Sequence, residues 1–353
     1  MDNLFQSNRT NPAFRIDKKV IIGLPNIYYN LSHTGVSFND LISTNAEGNK
    51  LLDVDQILNN LEDDNYLKTN FELETLSFGI KAGEHLQFNF SHTAKLNAYL
   101  NYPNTLAELI WNGNAQYIGK KVEFGPDVQL TAYHEFAFGA TYQWQNISFG
   151  AKLKYLSGVG DISTPKTKAA LLTSADGFDL NFETDYQINT SSFLAVESII
   201  DYQLKFSDVN FSKLFSKNTG LAIDLGIDVA IGDKLKLSAS VLDLGKINWT
   251  ENTKTYTSKE NFIYDGVDIT DIIKSDSVSF EGTLDTLDEL FGFQESNLSY
   301  STTLPMKFYL SGKYQFNEHW QFGASLYGEK FRETFSPSLA LSARYKLNEL
   351  LTV

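Results

Sequence analysis

Between Asn218 and Asn248 the chain alternates apolar and polar residues with period two, and no other feature constrains its fold as strongly. Leu221, Ile223, Leu225, Ile227, Val229 and Ile231 are apolar, while Ala222, Asp224, Gly226, Asp228 and Ala230 between them are small or charged. After Gly232-Asp233 the alternation resumes, with Leu235, Leu237, Ala239 and Val241 set against Lys236, Ser238 and Ser240. Successive side chains of a strand point to opposite faces, so each strand has one greasy face and one polar face. The two-residue break predicts an antiparallel hairpin. The fold then depends on which medium each face meets.

No run reaches the ~18 apolar residues of a spanning helix, whereas a transmembrane strand needs only ~10 alternating ones. The pattern recurs along the chain. Leu76, Phe78 and Ile80 precede Ala82-Gly83-Glu84, and Leu86, Phe88 and Phe90 follow it. Phe136 to Trp144 and Ile147 to Tyr155 flank Gln145-Asn146, and Met306 to Phe316 and Trp320 to Phe331 flank Asn317-Glu318. The units starting at Asn146, Asp233 and Glu318 resemble one another, as in an up-and-down meander. Tight turns are expected near residues 83, 145, 190, 232, 317 and 348, and long connections at 32–70, 101–127, 158–177, 207–217 and 249–299. Short turns on one side and long loops on the other predict an all-β antiparallel transmembrane barrel in a bacterial outer membrane, its apolar face in lipid. A water-soluble sandwich of this length would leave sheet edges to protect.

A first strand is expected over 19–31. With less regular strands at 178–188 and 193–206, the count reaches about twelve complete strands, followed by a stub at 350–353. Closure with an even number predicts about fourteen, the last lying beyond this chain. Residues 1–18 form a separate lead-in, and 19–353 form the barrel. Helical spacing predicts short helices at Val54 to Leu61, behind an Asp53 cap, and at Leu106 to Trp111. A third is expected at Leu284, Leu287, Leu290 and Phe291, with a capping box at Thr286 and Glu289, inside the acidic segment 251–300. Trp144, Trp320 and Trp249 lie at strand ends and predict the aromatic girdles of such a barrel. Asp224, Asp228 and Lys236 are expected to face the interior.

Nothing in the chain reads as an enzyme. The five histidines are scattered, and His85 and His92, seven residues apart, point to opposite faces of one strand. Asp53-Val54-Asp55 lacks the glycine and glutamate of a calcium loop. Gly158-Val159-Gly160 precedes no helix and reads as a strand-end loop rather than a phosphate cradle. No metal or cofactor is expected, and a net charge of −14 argues against a nucleic-acid partner.

The chain resembles an uncharacterised family of Bacteroidetes outer-membrane proteins, itself similar to FadL-type transporters and to the PorV-type barrels of the type 9 secretion system. The resemblance is carried by Gln6-Ser-Asn-Arg-Thr-Asn-Pro-Ala-Phe14, Ile22-Gly-Leu-Pro25, Ser37-Phe-Asn-Asp-Leu-Ile42 and Leu76-Ser-Phe-Gly79. Tyr99-Leu-Asn-Tyr-Pro103, Tyr155-Leu-Ser-Gly-Val-Gly-Asp161 and Leu242-Asp-Leu-Gly-Lys-Ile-Asn-Trp249 extend it over most of the chain. It implies fourteen strands and an N-terminal plug in which Asn11, Pro12 and Ala13 match the Asn-Pro-Ala of FadL-like proteins, with Phe14 in place of their glycine. It also implies two expectations for function. One is passage or capture of a small hydrophobic molecule; the other is a non-transporting subunit docked to an envelope protein partner.

Overall fold

A computed structural model describes residues 5–15, 18–35, 42–44, 50–177, 179–192, 216–264, 292–332 and 334–346. A 3₁₀ turn at Phe5–Arg9 precedes β1 (Val20–Gly23) and β2 (Asn26–His33), and a small hairpin of β3 (Ile42–Thr44) and β4 (Lys50–Leu52) leads into α1 (Val54–Asn60). Then come β5 (Asp64–Ala82), β6 (Leu86–Pro103), α2 (Asn104–Asn112), β7 (Lys121–Glu123), β8 (Asp127–Trp144), β9 (Ile147–Thr173) and β10 (Leu180–Ser192). The hairpin β11 (Thr219–Ile231) and β12 (Leu235–Trp249) is followed by β13 (Thr253–Ser258), β14 (Asn261–Tyr264), β15 (Gln294–Ser296) and β16 (Tyr300–Thr303). β17 (Met306–Gln315), β18 (Trp320–Phe331) and β19 (Thr334–Tyr345) complete the described chain.

All strands but β3 and β4 join one antiparallel sheet. Its wall runs β2, β5, β6, β8, β9, β11, β12, β17, β18, β19, each strand paired to the next. The turns follow from their residues. Gly83 and Gly232 take positive φ, and the Asn317 side chain accepts from the backbone N–H of His319 and Trp320 at 2.9 and 2.8 Å. The wall closes on itself through side chains. Lys68 of β5 pairs with Glu329 of β18, Tyr99 Oη of β6 lies 3.3 Å from Thr334 Oγ1 of β19, and Arg332 pairs with Asp127 of β8. The sheet is therefore curled into a barrel around these groups.

Its faces are inside out. Outward rows carry Leu225, Leu310 and Leu153, each at least half exposed, whereas Asp224, Lys154 and Glu135 on the inner rows are almost fully buried. Above the wall, β9 continues past the end of β11, and its upper part, Gly160 to Thr173, pairs with β10, which pairs in turn with β13 and β14.

Several expectations need correction. Residues 158–173, within the connection expected at 158–177, are not a loop: β9 runs unbroken through Gly158, which pairs with Tyr133 of β8, and past Pro165, on either side of which β10 pairs it. Residue 190 is not a turn, since Thr190 pairs with Ile162 inside β10. The Gly232-Asp233 break extends over Lys234, with Ile231 opposite Leu235. β5 starts at Asp64, within the segment expected to be a connection, and Arg332, at φ +50°, makes an unanticipated turn between β18 and β19. α1 forms where expected, with the Asp53 carboxylate accepting from the Gln56 N–H at 3.0 Å. The strand expected at 193–206, the helix at 284–291 and the turn at 348 lie outside the described residues.

Candidate functional site

Charged side chains of neighbouring inner rows form a belt around the lumen. Lys95 of β6 donates to Glu135 of β8 at 2.7 Å, and Lys154 of β9 bridges Asp224 of β11 at 2.7 Å and Asp243 of β12 at 2.6 Å, with Glu135 at 3.7 Å. Lys307 of β17 lies 3.4 Å from Asp243 and 3.7 Å from Glu72 of β5. Glu72 also pairs with Arg9 of the N-terminal segment. Four carboxylates (Glu72, Glu135, Asp224, Asp243) thus face four cations (Lys95, Lys154, Lys307, Arg9), and the belt is formally neutral. A buried charge is tolerated only when paired and hydrogen-bonded, and every member here has a partner of opposite sign.

Asp243 reaches the centre of this belt through a bulge. The register of β11 against β12 shifts between Ile223 and Leu225, and Asp243 there adopts φ +61°. Its backbone N–H donates to Asp224 Oδ1 at 2.8 Å, so one bulge delivers both a carboxylate and a donor to the same point.

The N-terminal segment lies across the lumen beside the belt. Asn11 Nδ2 donates to the carbonyls of Ile227 and Ala239, both at 3.1 Å, and Asn11 Oδ1 accepts from the Ala13 N–H at 2.8 Å. Thr141 Oγ1 donates to the Pro12 carbonyl at 2.7 Å, and the buried Lys152 ammonium donates to the Asn8 carbonyl at 2.8 Å. Two glycines make the seat. Gly150 and Gly226 oppose each other on β9 and β11; a Cβ at Gly150 would lie 2.1 Å from Pro12 C, and one at Gly226 2.0 Å from Asn11 Oδ1.

Higher in the lumen, Trp249 is fully buried with Tyr133, Leu156, Ala222, Ile247 and Leu304. Its indole Nε1–H donates to Thr302 Oγ1 at 3.0 Å, and Thr302 Oγ1 donates to Asp161 Oδ2 at 3.1 Å. On the outer wall, Leu225, Ile227, Val241, Phe308, Leu310 and Phe335 border an apolar groove of about 560 Å³, where the small residues Gly226 and Ala239 thin the surface.

The residues singled out from sequence fall in different places. Asn11, Pro12 and Ala13 are buried against the inner wall, and Phe14 lies under the Lys236 ammonium, 5.8 Å from its ring centre. Asp224 joins the belt, while Asp228 and Lys236 form a separate pair at 3.0 Å. Trp144 and Trp320 are exposed beside their turns. Trp249 is not a girdle residue. The bulge at Asp243 alters the alternation of β12 before its end, and the indole packs inside, over Gly158. Sequence reasoning missed Glu72, Lys95, Glu135, Lys154, Asp243 and Lys307. Each is an ordinary polar residue of an alternating strand until the strand order is known.

No curated protein matches the chain by sequence. A family model described as a family of unknown function (DUF5723) matches residues 12–353. Among solved structures, the chain is similar to the toluene transporter TbuX of Ralstonia pickettii, with a TM-score of 0.39 and 11% identity over 94% of this chain and 70% of that one. It is also similar to the toluene transporter TodX of Pseudomonas putida, with a TM-score of 0.38 and 10% identity over 98% of this chain and 85% of that one.

Proposed function

The chain belongs to the DUF5723 family, and we propose that it is an integral outer-membrane β-barrel whose lumen is shut at rest and which captures small hydrophobic molecules at its outer wall. The inversion of polarity carries this reading: ion pairs fill the interior and apolar rows cover the outside. A water-soluble barrel needs the reverse, whereas a transmembrane barrel turns its apolar rows to lipid. The N-terminal segment acts as a plug, held by Arg9, Asn11 and the Pro12 carbonyl. A lumen filled this way is no standing passage, so a hydrophobic molecule meets the wall groove first. Docking to an envelope machine is favoured by no observation on the described residues.

The test uses the full chain, reconstituted. In planar bilayers it should conduct almost no current. In detergent it should bind a neutral fluorescent hydrocarbon probe, and Val241→Trp, which fills the groove, should abolish that binding. A chain that stays monodisperse in buffer without detergent refutes the membrane reading. Probe binding indifferent to Val241→Trp refutes the groove.

A further inference from the structure

The outer wall carries one pair of imidazoles that neither the belt nor the groove uses. On β6, Thr93 and Lys95 point inward, so His92 points out; on β8, Tyr133 and Glu135 point inward, so His134 points out. His92 Nε2 lies 3.1 Å from His134 Nδ1, facing it as in an N–H···N hydrogen bond, with ring centres 5.2 Å apart. The pair sits within the apolar rows. Phe136 packs 4.5 Å from His92, Phe90 and Phe138 lie below, and the outward series continues above through Phe71, Leu96 and Leu130. A polar group at such a depth is costly unless hydrogen-bonded, and it marks a functional position.

Counting protons leaves one nitrogen over. A neutral imidazole holds a single N–H. If His134 Nδ1–H donates to His92 Nε2, His92 carries its own proton on Nδ1 and gives it to Thr75 Oγ1 at 2.7 Å. The Thr75 hydroxyl then donates to the His92 carbonyl at 3.5 Å. If His92 donates instead, Thr75 donates to His92 Nδ1, and His134 keeps its proton on Nε2. Either way the relay ends at His134 Nε2, an acceptor in the first arrangement and a donor in the second. Thr75 closes the other end because the register of β5 against β6 shifts between Glu74 and Leu76, turning an extra residue toward the outer face. Ser157, opposite His134 in register, is engaged elsewhere: its Oγ accepts from the Ser216 N–H at 3.2 Å.

We propose that this face of the wall binds a lipid-soluble alcohol, whose hydroxyl donates to His134 Nε2. With that donor in place every proton of the relay has an acceptor, from the ligand through both rings and Thr75 to the His92 carbonyl. Such chains strengthen one another in a low dielectric. The surface around the ring gives the ligand room. Ala94 faces His134 across β6, Ala132 follows along β8, and Gly160 of β9 pairs with Ala132; these small residues leave the imidazole standing clear. Leu96, Leu130, Phe136 and Tyr155 on the same outer rows form an apolar rim for a hydrocarbon. These outer-row neighbours carry no charge, so an ionised head group would be uncompensated, whereas a neutral hydroxyl fits. The site is separate from the groove over β11, β12 and β17, and it rests only on the lipid-facing orientation of the wall.

The test uses the full chain with ¹⁵N-labelled histidine in phosphatidylcholine nanodiscs, with dodecanol as ligand and dodecane as control. Dodecanol should shift the His134 Nε2 resonance and, through the relay, both nitrogens of His92; dodecane should leave them unmoved. By calorimetry, His134→Phe should weaken dodecanol binding roughly fivefold, the worth of one hydrogen bond. Thr75→Val should weaken it by a smaller factor, and Val241→Trp, in the groove, not at all. The heat-dependent gel shift of a folded barrel verifies each variant, and the resonance shift needs none. Resonances indifferent to dodecanol, an equal response to dodecane, or full affinity in His134→Phe each overturn the site. Binding lost in Val241→Trp places the alcohol in the groove and overturns it as well. Failure of the membrane reading shows separately, as a chain monodisperse in buffer without detergent.

Discussion

Lys307 on β17 places its ammonium 3.7 Å from the Glu72 carboxylate on β5, and among the described residues these two strands share no backbone pairing. The contact joins β17 to β5 beside the Lys68–Glu329 pair that closes the wall. Removing one partner of a buried pair leaves an uncompensated charge and typically costs about 3–5 kcal/mol. Lys307→Met should therefore lower the thermal transition in detergent strongly, and Glu72→Gln/Lys307→Met should cost less than the two single variants together, since Glu72 also holds Arg9. Losses that simply add would mean that the tie contributes nothing.

The paired glycines give a second test. Gly226→Val places a branched side chain where Asn11 Oδ1 lies, and Gly150→Val does the same against Pro12. Both glycines belong to wall strands whose pairing does not involve the segment. The wall should survive while residues 5–15 leave their seat and become open to limited proteolysis. Protection equal to wild type would show that the segment is held by something other than this seat.

Neighbouring residues on β11 separate the two media. Ile227 lies on the outer row and Asp228 on the inner, paired with Lys236. An arginine on the lipid face near the midplane costs about 2–4 kcal/mol, so Ile227→Arg should abolish stable insertion into vesicles. Asp228→Asn, which keeps shape and hydrogen bonding, should insert normally. The opposite ranking would mean that the faces are exchanged.

How much of this was legible in the sequence follows from what each signal depends on. Period-two alternation is local, so β8, β11, β12, β17 and β18 could be read directly, as could the Asp53 cap of α1. Strand continuity through Gly158-Val159-Gly160 and Pro165 was hidden, because glycine and proline signal a break unless two flanking strands hold them in place. The belt was hidden for a different reason. Glu72 and Lys307 are distant in sequence, and only the curl of the sheet makes them partners. Trp249 misled because a bulge, one extra residue at Asp243, reverses every inference from parity beyond it. The 3.1 Å contact between the ring nitrogens of His92 on β6 and His134 on β8 depends on the same kind of information: the β6–β8 register, not spacing along one strand, makes it.

The buried indole allows a last test. Indole N–H can only donate, so Thr302 Oγ1 must accept from Trp249 and pass its own proton to Asp161. Gln129 Nε2 likewise donates to Thr131 Oγ1 at 3.2 Å, and Thr131 donates to the other oxygen of Asp161 at 2.7 Å. Two relays that begin at obligate donors thus end on one fully buried carboxylate. Breaking one at its source differs from breaking it at its centre. Trp249→Phe keeps the Thr302 hydroxyl on Asp161 and fills most of the same volume; it should cost about 1 kcal/mol, the value of one hydrogen bond. Thr302→Val strands the indole donor and deprives the carboxylate of a donor at once, for about 1–3 kcal/mol at each buried group left unpaired. Denaturant unfolding of the two variants should rank Thr302→Val as clearly the more damaging. Equal costs would show that Asp161 does not draw on Thr302.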